Sequence, residues 1–268
     1  MNERIGLIAG NGQFPILFAK AARLKGKEII AIAVREETSP ELENHVHKIC
    51  WIGVGELKKF FQILREEKLK KVVMAGQIKP SHIFEQNISM DGQLKSFLRK
   101  VKDKRANSLL GEIARMLKGM GIRLLDSTTF LEEHLVCRGV LTKKEPTPAQ
   151  WQDIHFGQKI AKRIGGLDIG QTVVVKDKAI LAIEAIEGTD EAIKRGGALA
   201  KGGAVVVKMS KPDQDMRFDI PLVGTQTIRS LVGASCAVLA TEAGKTIFLN
   251  KEECVKVAEE NSICLVGI

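Results

Sequence analysis

An α/β chain of two domains joined by a linker is what this sequence predicts, from three observations. Short apolar runs alternate with amphipathic stretches along the whole length. The first run, Arg4 to Ala9, ends in Gly10-Asn11-Gly12 and feeds an amphipathic stretch, as in a Rossmann-like domain with a parallel sheet. Residues 133–150 break the pattern with Gly139, Lys143-Lys144, Pro146 and Pro148, and paired β-branched runs beyond them imply a mixed second sheet. The expected division is 1–132 for a nucleotide-binding domain, 133–150 for the linker and 151–268 for a catalytic α/β domain.

Each element follows from its own pattern. Phe14 to Leu24 reads as a helix stopped by Gly26, and Glu28 to Val34 as a second buried strand. Gly55 to Lys68 carries Leu57, Phe60, Phe61 and Leu64 on one helical face. Val72 to Ala75 is a third strand, running into Gly76-Gln77-Ile78-Lys79-Pro80; loops at the carboxyl ends of parallel strands face the ligand crevice, so Gly76, Gln77 and Lys79 are candidate substrate contacts. A helix over 107–118 and a strand over 122–125 complete the first half. In the second, 153–164 is helical, and 171–175 with 179–183 form a hairpin around Lys176-Asp177-Lys178. A strand at 204–208, a helix at 225–232, strands at 236–240 and 246–249, a helix at 252–260 and a strand at 263–266 finish the domain.

The 268 residues are 44% apolar and 27% charged, a globular composition. With no Tyr and 4% aromatics the chain lacks the stacking platforms of single-strand binders, which argues against a nucleic-acid partner. The net charge of +9 suits an anionic nucleotide or lipid headgroup. Five cysteines without a C-x-x-C pair suit a reducing compartment, and neither a secretory signal nor an eighteen-residue apolar run is present. A cytoplasmic protein is expected, with room for peripheral contact with a membrane and, on base rates, a homodimeric assembly.

The chemistry concentrates between Ile183 and Gly224. Glu184-Ala-Ile-Glu187-Gly188-Thr189-Asp190 and Lys211-Pro-Asp213-Gln214-Asp215-Met-Arg217-Phe-Asp219-Ile-Pro221 hold six acids, two cations and a glutamine. Carboxylates bind hard cations or take protons from water, and Lys and Arg neutralise phosphate. Gly188 and Thr189, ahead of a helix, offer an anion seat. Asp219 lies among apolar neighbours in Phe218-Asp219-Ile220-Pro221, so partial burial would require it to be paired, metal-bound or catalytic.

These two motifs, together with Leu7-Ile-Ala-Gly-Asn-Gly-Gln-Phe-Pro15, Leu167-Asp-Ile-Gly-Gln-Thr-Val-Val-Val175 and Val266-Gly267, resemble the LpxI-type UDP-2,3-diacylglucosamine pyrophosphatases of lipid A biosynthesis. The resemblance spans nearly the whole chain. It implies hydrolysis of UDP-2,3-diacylglucosamine to 2,3-diacylglucosamine 1-phosphate and UMP, a divalent cation such as Mg²⁺, and attack at the phosphorus nearer the sugar. Its essential acid falls on Asp219, with Arg217 and Lys211 as the expected charge-neutralising partners. Gly10, Asn11, Gly12, Gly76, Gln77, Lys79, Gln171, Gly188, Thr189 and Gln214 are the expected substrate contacts, and Glu187, Asp190 and Asp215 the expected metal ligands. One segment departs from the family: Arg105-Ala106-Asn107-Ser108 stands where many relatives carry paired acids.

Two other readings compete. The glycine turn alone suggests a pyridine-nucleotide oxidoreductase, although Pro15 replaces the third glycine of the fingerprint. The charge alone suggests a non-catalytic binder of anionic lipid or nucleic acid, whose binding would depend steeply on salt and ignore Mg²⁺.

Overall fold

A computed structural model describes residues 3–78, 89–101, 103 and 106–268. The chain divides into two compact units, one of residues 1–131 with 216–219, the other of residues 132–215 with 220–268.

The first unit is a parallel α/β sheet. Its strands are β1 (Arg4–Ala9), β2 (Glu28–Val34), β3 (Lys48–Ile52), β4 (Lys71–Ala75) and β5 (Arg123–Leu124), ordered β3-β2-β1-β4-β5 with every pair parallel. Strands covered on both faces read as continuous apolar runs, and β1 and β2 are buried along nearly their whole length. Helix α1 (Phe14–Leu24) starts with Pro15 in its first turn, where the missing N–H costs nothing. Helix α2 (Leu57–Glu66) buries Phe60, Phe61, Ile63 and Leu64. Asp91 caps α3 (Gly92–Lys100) by accepting from Leu94 N–H at 2.7 Å, and its other oxygen accepts from Lys58 N–H at 2.6 Å. Helix α4 (Ala106–Gly119) leads into β5. The strand order reverses between β1 and β4, which makes their carboxyl ends the switch point of the sheet.

The second unit is mixed, as its β-branched runs predict. Strands β6 (Gly139–Val140), β7 (Thr172–Lys176), β8 (Ala179–Ile183), β9 (Val205–Lys208), β11 (Val238–Thr241) and β13 (Cys264–Gly267) are ordered β6-β13-β11-β9-β7-β8. The pairs β9-β11 and β11-β13 are parallel, while β7 runs antiparallel to both its neighbours. A separate pair, β10 (Leu222–Val223) and β12 (Ile247–Phe248), is parallel. Valines alternate across the sheet: Val174 and Val206 join one core, Val173, Val175, Val205 and Val207 the other.

The β7-β8 hairpin turns through Asp177 and Lys178, both at positive φ (51° and 57°), the geometry that matches the twist of antiparallel strands. Buried Asp153 locks it, one carboxylate oxygen accepting from Asp177 N–H at 3.0 Å and the other from Lys178 N–H at 2.7 Å. Asp153 lies on α5 (Pro148–Gly166), which begins earlier than the expected 153–164 because Thr147 and Gln150 form a capping box ahead of it. Residues 133–150, read from sequence as a linker, thus supply β6 and the start of α5 to the second unit. Helices α6 (Thr189–Ala200), α7 (Thr225–Gly233) and α8 (Lys251–Glu260) complete it. No helix among the described residues is long and apolar enough to cross a membrane.

Candidate active site

The switch point of the first unit is a close backbone crossing. Gly10 N–H donates to Ala75 O and Asn11 N–H to Gln77 O, each at 2.8 Å. A Cβ on Gly10 would lie 2.4 Å from Gln77 O, and one on Gly76, which has φ +82°, would lie 2.4 Å from Asn11 O, so both positions exclude a side chain. Asn11 Nδ2 donates to Glu37 Oε2 at 3.0 Å, and Thr38 Oγ donates to Ala9 O at 2.8 Å, tying the turn to the end of β2. Of the expected contacts, Gly10, Asn11, Gly76 and Gln77 are therefore brought together, but two amides of the glycine turn are spent on the protein's own carbonyls. Gly12, at φ +81° with open space where a Cβ would stand, and the first turn of α1 form the part able to face an anion. Lys79 lies outside the described residues.

The same edge receives four residues from far along the chain. Ser127 is buried; its N–H donates to Met216 O at 2.9 Å, and its hydroxyl sits 2.6 Å from Met74 O and 2.8 Å from Arg217 O. Met74 precedes Ala75 and Gly76, so Met216–Asp219 docks at the carboxyl end of β4. Phe218 packs on the first unit's core, and the Arg217 guanidinium stands 5.9 Å from its ring centroid. Arg217 and Asp219 thereby belong to the switch-point edge, although the sequence division put them in the second domain.

In the second unit, a polar cluster surrounds the start of α6. Glu184, 8% exposed, accepts from Thr189 Oγ at 2.8 Å and from Gln171 N–H at 3.3 Å. Lys208, 5% exposed at the end of β9, donates to the same Thr189 oxygen at 2.7 Å. Gly188 is the N-cap at φ +86°, and Thr189 spends its hydroxyl on Glu184 rather than on capping the helix. Gln171 Oε1 and Asp190 Oδ1 are buried without a hydrogen-bond partner. Sequence reasoning passed over Lys208, whose one signal is a charge ending an all-valine strand.

Glu187 turns to Arg195 at 2.6 Å. Hydrogen bonds from backbone N–H and from Arg195 hold its carboxyl below the usual range. Lys211 Nζ donates to Asp168 Oδ1 at 2.7 Å, and its backbone N–H to Gln214 Oε1 at 2.6 Å, so Gln214 shapes its own loop. No group of three His, Cys, Asp or Glu side chains able to hold a metal occurs among the described residues. Glu187, Asp190 and Asp215 form no such group among the described residues, and Glu187 is ion-paired with Arg195.

Comparison with known proteins covers both units. The family model of the LpxI N-terminal domain matches residues 4–134, and that of the LpxI C-terminal domain residues 137–266. UDP-2,3-diacylglucosamine pyrophosphatase LpxI of Caulobacter vibrioides is 29% identical over 275 residues, covering 99% of this chain and 98% of that protein. Among solved structures, the biotin carboxylase domain of Hydrogenobacter thermophilus 2-oxoglutarate carboxylase aligns at a TM-score of 0.29 and 14% identity, over 67% of this chain and 36% of that one. N5-carboxyaminoimidazole synthetase of Staphylococcus aureus gives a TM-score of 0.26 at 18% identity, over 65% and 38%. This chain spans little more than a third of either structure.

Proposed function

The chain belongs to the LpxI family, and from that premise we infer that it hydrolyses the diphosphate of UDP-2,3-diacylglucosamine, releasing UMP and 2,3-diacylglucosamine 1-phosphate. The observation that carries the site assignment is the docking of Met216–Asp219 at the carboxyl end of β4, beside the glycine crossing where a parallel sheet of this order takes its ligands. In this proposal Asp219 orients the attacking water and accepts its proton. Arg217 and Lys211 offset the negative charge that grows on the phosphoryl oxygens. The first turn of α1, after Gly12, holds substrate oxygens.

A requirement for Mg²⁺ is part of the same proposal. Glu187, Asp190 and Asp215 are the carboxylates that would hold the cation, which would supply neutralising charge to the diphosphate. Peripheral contact with the inner membrane and a homodimer are also proposals, motivated by the acylated substrate and by base rates.

The test is direct: purified protein is incubated with UDP-2,3-diacylglucosamine, with and without Mg²⁺, and UMP is measured. Asp219→Asn should retain substrate binding while turnover falls by about 10²–10⁴. Near-normal turnover by that variant removes Asp219 from the chemistry. No UMP from the wild-type protein with Mg²⁺ present sinks the activity itself.

A further inference from the structure

Ser210 is wholly buried at the point where β9 ends and the Lys211–Asp219 segment begins. Its backbone and side chain are all held by two residues distant in sequence. Glu242, just past the end of β11, accepts through Oε2 from Ser210 N–H at 3.0 Å, from Ser210 Oγ at 2.5 Å and from Lys162 Nζ at 2.6 Å. The same Lys162 ammonium reaches Ser210 O at 3.0 Å and Ser210 Oγ at 3.1 Å, so its three protons are directed at this one cluster. The second Glu242 oxygen pairs with Lys245 at 3.1 Å. Met209 N–H, one residue earlier, donates to Gln171 O at 2.9 Å.

We propose that Glu242 is a positioning residue for the hydrolysis, fixing through Ser210 and Lys162 the direction in which the chain leaves β9 toward Lys211, Arg217 and Asp219. This rests on the site reading given above. Ser210 resembles an activated nucleophile beside a lysine, but a hydroxyl with no exposed surface cannot meet a substrate. The cluster instead restrains one residue on both sides of its Cα, and a displacement of about 1 Å in a positioned group can cost on the order of 10²-fold in rate. Ion-paired carboxylates are common stabilising features, but this one is spent on the N–H and hydroxyl of the residue preceding Lys211, where the expected effect is kinetic.

The test compares Glu242→Gln, Glu242→Asp and Ser210→Ala with wild type, each checked for folding by circular dichroism. Glu242→Gln should lower kcat about tenfold or more while KM stays within about threefold, and Glu242→Asp should recover part of the loss. Hydrogen exchange should quicken at the amides of 210–214 in Glu242→Gln and stay unchanged in β1 and β2. A folded Glu242→Gln with kcat within about twofold of wild type overturns the proposal. If wild type itself releases no UMP, the hydrolase reading fails, and exchange then decides the positioning claim alone: unaltered protection at 210–214 overturns it.

Discussion

Gly10 and Gln77 meet so closely that a single added methyl on Gly10 would stand 2.4 Å from the Gln77 carbonyl oxygen. Gly10→Ala must therefore push the β1 and β4 loops apart, at a cost of about 1–3 kcal/mol for overpacking. Gly76→Ala carries the same clash and adds about 1–2 kcal/mol for a left-handed backbone. Urea unfolding should show lower midpoints for both, with Gly76→Ala the lower, whereas Gly12→Ala, with open space beside it, should show strain alone.

Ser127→Ala tests how the Met216–Asp219 segment is seated. The hydroxyl is the side-chain donor facing both Met74 O and Arg217 O, and its loss leaves a buried carbonyl without that partner, worth about 1–3 kcal/mol. Turnover should fall along with stability, because the segment carries Asp219. Full activity in a destabilised Ser127→Ala would separate seating from catalysis.

Acid should loosen the second unit through Glu242. Burial pushes its carboxyl up, but hydrogen bonds from Lys162, Ser210 and Lys245 outweigh that and hold it at about 2, against an ordinary 4.5. A depressed pKa contributes stability that is complete above about 4.5 and is lost as pH falls through about 2. Wild type should lose stability across that window, and Glu242→Gln should start less stable at neutral pH and show a shallower decline. Parallel curves for the two proteins would refute the linkage.

Thiol reactivity should sort by burial. Burial pushes Cys236 up to about 12 and Cys254 up to about 11, and Cys264 is raised for the same reason, so these stay protonated and shielded at neutral pH. Cys137 is exposed. A disulfide reagent should modify Cys137 first, Cys50 more slowly, and the other three only on denaturation, as peptide mapping would show.

Much of this was legible in the residues. The β1–α1 turn announced itself through glycines after an apolar run, and the hairpin through β-branched runs around Asp177 and Lys178. Strands of two residues, such as β6 and β10, are too short to display a period. Pro146 and Pro148 read as breakers, yet Pro148 occupies the first turn of α5, where proline is favoured. Lys208 and Glu242 stayed hidden because their meaning lies in partners far along the chain, Thr189 for one, Lys162 and Ser210 for the other. The seat of Asp219 was hidden for the same reason: Ser127 lies 90 residues from Arg217 and the core beneath Phe218 further still, and no local pattern encodes that contact.

The first unit borrows residues 216–219 from the far half of the chain, so a gene cut near residue 131 does not yield two autonomous pieces. The amino-terminal fragment would leave uncovered the part of its core that Phe218 packs against and would tend to aggregate through it. The carboxy-terminal fragment would carry Asp219 on an undocked tether. Co-expression of the two fragments, rather than mixing of separately purified halves, is the route by which such a split protein could be reconstituted.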